Sequence, residues 1–450
     1  MRFLVYAGLV CYGLFYHISS SEFWPVTISK TWFSPDFEIS LLQKPFFSLF
    51  LALFHVLPLD DVLHLVAVKL AFAIIGLAGL VCFVKAVVEI SGQKISARYE
   101  LLLLVLLVAT SPTLLNNFFR IRTDQLSFLF FSLALLYSNR KQYLKALSFW
   151  IMLPLIGIKA LVFFLPAGIL FYPEIKTCSK QLPKSKQIHL LLACIAVLVW
   201  ALGLNIPAIS YLGETFRSME FPNAHLRKFL TSEALLVLGT LFVSGLVLFR
   251  KEKEFRRITL ASLACFALIL LLPQSYPYFI ASLAPIFYLP LFLKLLKPGV
   301  LKKYLLFAPA AQIVLVFSMI GINEGRFYHS NAAEFDYIGR VTKIIDKHNL
   351  TYVDGTGILP KQKLIPCFIS PDDEAANYAC SNFLANKIPD VVIATSRLNY
   401  LGIDLYKAIE SEYSQIIPGF WLKNKYKSLV SENNTDLSAS LPAVFLFGFD

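Results

Sequence analysis

Three short stretches set charge inside otherwise apolar sequence. "SEFWPVTISKTWFSPDFEISLLQKP" carries Glu22, Lys30, Asp36, Glu38 and Lys44, "RIRTD" carries Arg120, Arg122 and Asp124, and "LIGIKAL" places Lys159 between apolar runs. Carboxylates beside cations suit one kind of reaction in particular. The carboxylate takes the proton of an attacking hydroxyl, while lysine and arginine stabilise the negative charge that builds on a departing phosphate. Each residue also has a plainer reading. Lys44-Pro45 would serve as a helix start, with proline at the first helical position and the lysine reaching toward headgroups. Arg120 and Arg122 would anchor headgroups, and Asp124 would cap the helix that follows. Lys159 resists that reading, because an ionisable residue inside an apolar stretch is costly and usually functional. "YVDGTGILP" lacks the glycine spacing of a P-loop or dinucleotide site and reads as a turn after a strand. No two of the seven histidines stand at metal-ligand spacing; whether a divalent cation takes part is left open.

The elements that must position these residues are set by hydropathy. With 57% hydrophobic and 14% aromatic residues and a mean hydropathy of +0.65, one water-soluble domain is excluded. The apolar segments imply an all-α polytopic membrane protein of about eleven transmembrane helices, with residues 1–321 as the membrane domain. "QKPFFSLFLALFHVLP" is too short to cross and is expected to lie along the outer interface, within a first outer loop over 19–62. With that segment flat, "KAVVEISGQKISAR", "NRKQYLK", "PEIKTCSKQLPKSKQ", "RKEKEFRR" and "KLLKPGVLKK" all fall inside, as the positive-inside rule requires. The net charge of +12 therefore reads as a topology signal and not as a nucleic-acid surface.

Residues 322–450 read as a small soluble α/β domain on the periplasmic or luminal side. A helix is expected over "AAEFDYIGRVTKIIDKHN", strands over "LTYVD", "LIPCFIS", "DVVIAT" and "AVFLFGF", and a further helix after "PDDEAANYA". Its cysteines, Cys367 and Cys380, could pair in an oxidising compartment.

The order of these pieces resembles the C-type, polyprenyl-phosphate-dependent membrane glycosyltransferases, which include protein O-mannosyltransferases and lipid A aminoarabinose transferases. The matching residues are Glu22 after the first apolar segment, Lys44-Pro45 opening a juxtamembrane helix, Arg120, Arg122 and Asp124 in "RIRTDQ", Lys159 in "LIGIKAL", and "YPYFIASLAP" from Tyr276 to Pro285. The chain departs from the family pattern at Ser21, Gln43 and Phe46, where members commonly have Asp, an acid and a second proline. The resemblance implies transfer of a sugar from a polyprenyl-monophosphate carrier to a hydroxyl of a glycan, lipid or protein acceptor, with inversion, on the outer or luminal membrane face. It implies Asp36 or Glu22 as base, Asp124 as a third catalytic carboxylate, and Lys44, Arg122, Arg120 and Lys159 as donor-phosphate ligands. Two other readings are a transporter or flippase of lipid-linked sugars, which would show paired broken segments in a repeat, and an inactive relative acting as a scaffold.

Overall fold

The computed structural model describes residues 2–16, 18, 20–35, 39–90, 97–170, 195–197, 199, 203, 224–250, 253–271, 277–296, 309–314, 331–364, 380, 389–395, 398, 411–417 and 419–427. These are mostly helical, with one small sheet. About eleven membrane spans were expected, and the helix lengths overturn that. Among the described residues, Asp61–Ile90 is the one helix long and apolar enough to cross a membrane alone; Leu226–Ser232 and Ala234–Phe249, bent by 81°, could count together as a second. Five other apolar helices among the described residues are short. Arg2–Phe15, Pro45–His55, Glu100–Thr110, Tyr143–Ile156 and Lys159–Leu170 each have 10–17 residues, against the ~20 that a hydrocarbon core requires. The cuts are local: Ser111-Pro112 starts a new helix after Thr110, and Gly157 follows the end of a helix that already contains Pro154. The inside and outside assignments of the basic loops depended on the larger span count and lose their basis with it.

The chain forms two compact units. The first comprises residues 1–11, 42–47 and 72–328, the second 12–41, 48–71 and 329–450. The early loop and the C-terminal segment thus share one unit.

α1 (Arg2–Phe15) begins the chain and α3 (Pro45–His55) starts at the predicted Lys-Pro corner; the ends of α1 and α3, the first eleven residues of α4 (Asp61–Ile90) and all of α2 (Ser20–Ile28) belong to the second unit. After α4 come α5 (Ala97–Thr110), α6 (Pro112–Asn117), α7 (Thr123–Asn139) and α8 (Tyr143–Ile156). A tight turn with Lys141 at φ +58° folds α8 back on α7, and aromatic rings fill the seam. Tyr137 stacks on Phe149 at 5.6 Å, Phe130 meets the same ring at 5.5 Å, and Phe131 meets Trp150 at 5.8 Å. Gly76 and Gly79 let α4 approach closely. A Cβ at Gly76 would lie 2.7 Å from the Phe118 carbonyl oxygen, and one at Gly79 3.2 Å from the Phe128 ring.

Further along, α9 (Ala224–Ser232) and α10 (Ala234–Phe249) meet at the 81° bend, with Glu233 between them. The bend is held by polar groups that would otherwise be stranded. Ser111 Oγ and Thr113 N–H donate to Glu233 Oε1 at 2.7 and 2.9 Å, the Tyr288 hydroxyl donates to Oε2, and Gln312 Nε2 donates to the Ser232 carbonyl at 2.5 Å. Glu233 thereby closes the N-terminus of α6. The remaining helices of the first unit are α11 (Lys253–Leu271), α12 (Pro277–Phe287) and α13 (Leu289–Leu296); Tyr276 lies outside the described residues.

In the second unit, α14 (Ala332–His348) ends in Asn349 at φ +52°, the left-handed residue that commonly stops a helix. A four-stranded sheet follows in the order β1-β2-β4-β3. β1 (Tyr352–Val353) runs parallel to β2 (Val391–Ile393), and both are buried. β3 (Tyr413–Ile417) and β4 (Phe420–Lys423) form an antiparallel hairpin that adds to β2, with a register shift between Gln415 and Ile417. The expected helix over 332–349 and the strands in "LTYVD" and "DVVIAT" are present; "LIPCFIS" contributes a bridge from Leu364 to Tyr352. The hairpin was not anticipated. The remaining strand and helix expected in this region, over "AVFLFGF" and after "PDDEAANYA", lie outside the described residues, as does Cys367. Cys380 is disulfide-bonded.

Candidate anion site

Three helix starts in the first unit carry the cations singled out above. Lys44 immediately precedes α3, Arg122 is the N-cap of α7, and Lys159 follows Gly157, the N-cap of a 3-10 turn over Ile158–Phe163. Neither Arg122 nor Gly157 supplies a side-chain cap, so the first backbone N–H groups of α7 and of that turn add positive potential to the cations. The segments are brought together by their neighbours. Phe46 of α3 packs edge-on against Phe130 of α7 at 5.4 Å, and Phe131 stacks on Phe163 at 4.8 Å. The Arg120–Arg122 corner is closed by Gln125 Nε2 donating to the Asn117 carbonyl at 2.6 Å and by Arg122 N–H donating to the Arg120 carbonyl at 3.0 Å.

Gly157 lies beside both other segments: a Cβ there would be in ordinary contact, 3.7 Å from both Lys44 Cγ and Thr123 Cγ2. Water reaches Lys44 and Lys159, while Arg120 and Arg122 are half-buried and Asp124 is buried. Although water reaches it, Lys44 is crowded by protein. Burial is the largest influence on its ammonium, Lys159 pushes the same way, Asp124 opposes, and Arg122 adds to the fall; together they lower its pKa to about 8. Mutual influence of this kind places Lys44, Arg122, Asp124 and Lys159 in one electrostatic neighbourhood. Among the described residues that influence Lys44, two are cations and one a carboxylate, and cations gathered at helix ends suit an anion.

No family model, characterised protein or solved structure matches the chain. The site is therefore read from its own residues.

Glu22 is the first-loop acid that the structure describes. Glu22 belongs to the second unit, is wholly buried, and pairs at 3.7 Å with Lys69 of α4, itself wholly buried. Lys69 Nζ also lies 5.9 Å from the centre of the Tyr16 ring. Asp36 and Glu38 lie outside the described residues. Lys30 donates to the Gln362 carbonyl at 2.6 Å. Among the described residues, no group of three or more His, Cys, Asp or Glu side chains could hold a metal ion.

Two charged groups escaped the sequence reading. Lys69 sits inside the apolar run "HLVAVKLAF" and carries the same signal that singled out Lys159, an ionisable residue amid apolar neighbours. Glu233 stands at the edge of another such run, where sequence alone offers no sign of a helix bend. The glycine loop "DGTGILP" behaves as the turn expected of it. The Asp354 carboxylate accepts from the N–H groups of Thr356, Gly357 and Ile358 at 2.9, 2.6 and 2.7 Å, filling its own nest of donors.

Proposed function

We propose that the chain is a membrane-associated glycosyltransferase that moves a sugar from a polyprenyl-monophosphate carrier to an acceptor hydroxyl, with inversion, on the outer or luminal face. The observation that supports it is the convergence of Lys44, Arg122 and Lys159, with Asp124, at the starts of three helical segments. In this reading the acceptor oxygen attacks the anomeric carbon as a carboxylate takes its proton. The bond from that carbon to the phosphate oxygen breaks, and the carrier phosphate leaves with the electron pair. Lys44, Arg122 and Lys159 hold the charge that gathers on it, and Arg120 extends the positive corner. Asp124 orients a cation or the acceptor. Asp36 and Glu22 are the candidates that the sequence offers for the base. An oxidising compartment for the C-terminal segment is supported by the disulfide at Cys380.

The test is incubation of membranes containing the protein with a panel of labelled polyprenyl-phosphate sugars, followed by identification of the labelled product. Transfer from one donor that is lost in Lys44→Ala is the expected result. The reading fails if folded protein transfers from none of them and Lys44→Ala binds an isoprenyl sugar phosphodiester as tightly as the parent.

A further inference from the structure

Water and hydrocarbon sort a helix in opposite ways. A helix at a water-facing surface buries its apolar stripe and exposes polar residues, whereas one in a bilayer exposes aliphatic side chains and turns its polar ones inward. Within the first unit, the two helices that meet at Glu233 make opposite choices. α9 sorts as in water: Leu226 and Phe229 are buried, while Arg227, Lys228 and Thr231 are exposed. α10 sorts the other way. Leu238, Phe242, Gly245 and Phe249 recur on one helical face and are exposed, with Leu238 at 63%, Phe242 at 60% and Phe249 at 87%. Thr240 and Ser244 are buried, and the helix packs against α11 and α13. α11 repeats the inversion, with Leu260 and Leu271 exposed and Thr259 and Ser262 buried.

Charge marks where the sorting changes. No residue from Ala234 to Phe249 is charged. Arg227 and Lys228 stand before the bend, and the net-basic stretch "RKEKEFRR" follows α10, its Arg250, Arg256 and Arg257 exposed. The 16 residues of α10 cover about 24 Å, roughly 6 Å short of a hydrocarbon core. Lysine and arginine side chains reaching outward from both ends can make up that difference. The 81° bend sets α9 nearly square to α10. With α10 along the bilayer normal, α9 therefore lies in the plane of the headgroups, as an interfacial amphipathic helix does.

We infer that the α9–α10 corner is a lipid-binding element whose occupant is an anionic phospholipid bilayer. α9 rests on the headgroups with Arg227 and Lys228 against their phosphates, and α10 presents Leu238, Phe242 and Phe249 to the acyl chains. α9 is then an interfacial helix and not the first part of a span broken at Glu233, whose hydrogen bonds hold the corner at the boundary. A partner protein would have to match an apolar strip closed by cations at both ends, a pattern that a bilayer supplies by its own layering. The inference rests on the membrane association in the proposed function and not on glycosyl transfer.

The test uses the full chain in vesicles of phosphatidylcholine and phosphatidylglycerol. With p-benzoylphenylalanine in place of Phe242 or of Phe249 and with radiolabelled phosphatidylglycerol, irradiation should attach labelled lipid to the protein at both positions. Cross-linking to another protein, a second copy included, or no labelled lipid at either position would overturn the inference. Spin-labelled phosphatidylglycerol should be held at the protein surface about twofold more than spin-labelled phosphatidylcholine. The Arg227→Gln, Lys228→Gln double variant should bring that preference toward parity, and an unchanged preference would overturn the headgroup assignment. A chain that labels lipid yet transfers from no polyprenyl donor keeps this inference and loses the transferase reading; one that transfers sugar but labels no lipid does the reverse.

Discussion

Lys44 offers the sharpest quantitative test, with pH as the perturbation. Its ammonium loses its proton at about 8, well below the ordinary 10.5, because burial opposes the charge first and Lys159 and Arg122 repel it, with only Asp124 in support. It is then about 90% charged at pH 7, half charged at pH 8 and about 10% charged at pH 9. A sugar phosphodiester keeps one negative charge across that range, so the change in affinity reports the lysine. Binding should weaken about tenfold from pH 7 to pH 9, or about 1.4 kcal/mol. Titration calorimetry with a short-chain isoprenyl sugar phosphodiester, repeated in buffers of different ionisation enthalpy, should show proton uptake on binding that grows from pH 7 to 9. Stability moves the other way. The unfolded chain holds this proton up to about 10.5 and the folded chain only to about 8, so the group's contribution to stability rises with pH between those values while binding declines. Lys44→Arg should bind without the decline, and Lys44→Met should bind weakly at every pH. A parent affinity that ignores pH, or the same decline in Lys44→Met, would refute the reasoning.

Asp124→Asn should lower transfer on the order of 10²-fold without weakening diester binding, since it removes a carboxylate from the cation cluster; labelled-product formation beside calorimetry separates the two. Lys69→Met leaves Glu22 buried without this partner and should cost about 3–5 kcal/mol in denaturant unfolding, much of it recovered in the Glu22→Gln, Lys69→Met double variant. Glu233→Ala strands the Ser111 hydroxyl, the Thr113 N–H and the Tyr288 hydroxyl, at about 1–3 kcal/mol for each group left unsatisfied; thermal unfolding should show the loss, with Glu233→Gln less affected. His55 is pushed down to about 4, chiefly by burial, with its bond to the Val26 carbonyl opposing. The stability tied to its neutral form should be complete above pH 6.5 and lost as pH falls toward 4, and His55→Gln should flatten that acid limb in a fluorescence-monitored titration.

The parts that could be read from residue order were those governed by local rules. Lys-Pro at 44–45 starts a helix, the charged corner at 120–124 leads into another, and the helix signal over 332–349 and the strand signals in "LTYVD" and "DVVIAT" match α14, β1 and β2. Apolar content misled where helix length was concerned. Hydropathy reports how apolar a run is, whereas Pro154, Gly157 and the Ser111-Pro112 cap decide where its hydrogen-bond ladder stops. Pro418-Gly419 is a strong turn pair, but the flanking "YSQII" and "FWLK" are too short for periodicity alone to mark the hairpin over 413–423. Contacts between distant segments, such as Thr27 with Gly357 or Glu22 with Lys69, left no local trace, since each is fixed by tertiary packing and not by the sequence on either side.

The discontinuous make-up of the second unit bears on biosynthesis. Its early pieces end at residue 71 and its late piece begins at 329, so roughly 250 residues must be made before Thr27, Lys30 and Asp61 can meet their partners in the late piece. At 5–20 residues per second, the ribosome needs on the order of 10–50 s for that interval. Over this time the Glu22 and Lys69 charges can find one another, but the early loop cannot reach its final hydrogen bonds. Completion of this unit is consequently a late, post-translational event with high contact order. A chain truncated before residue 331 should release an early loop that proteases and chaperones recognise.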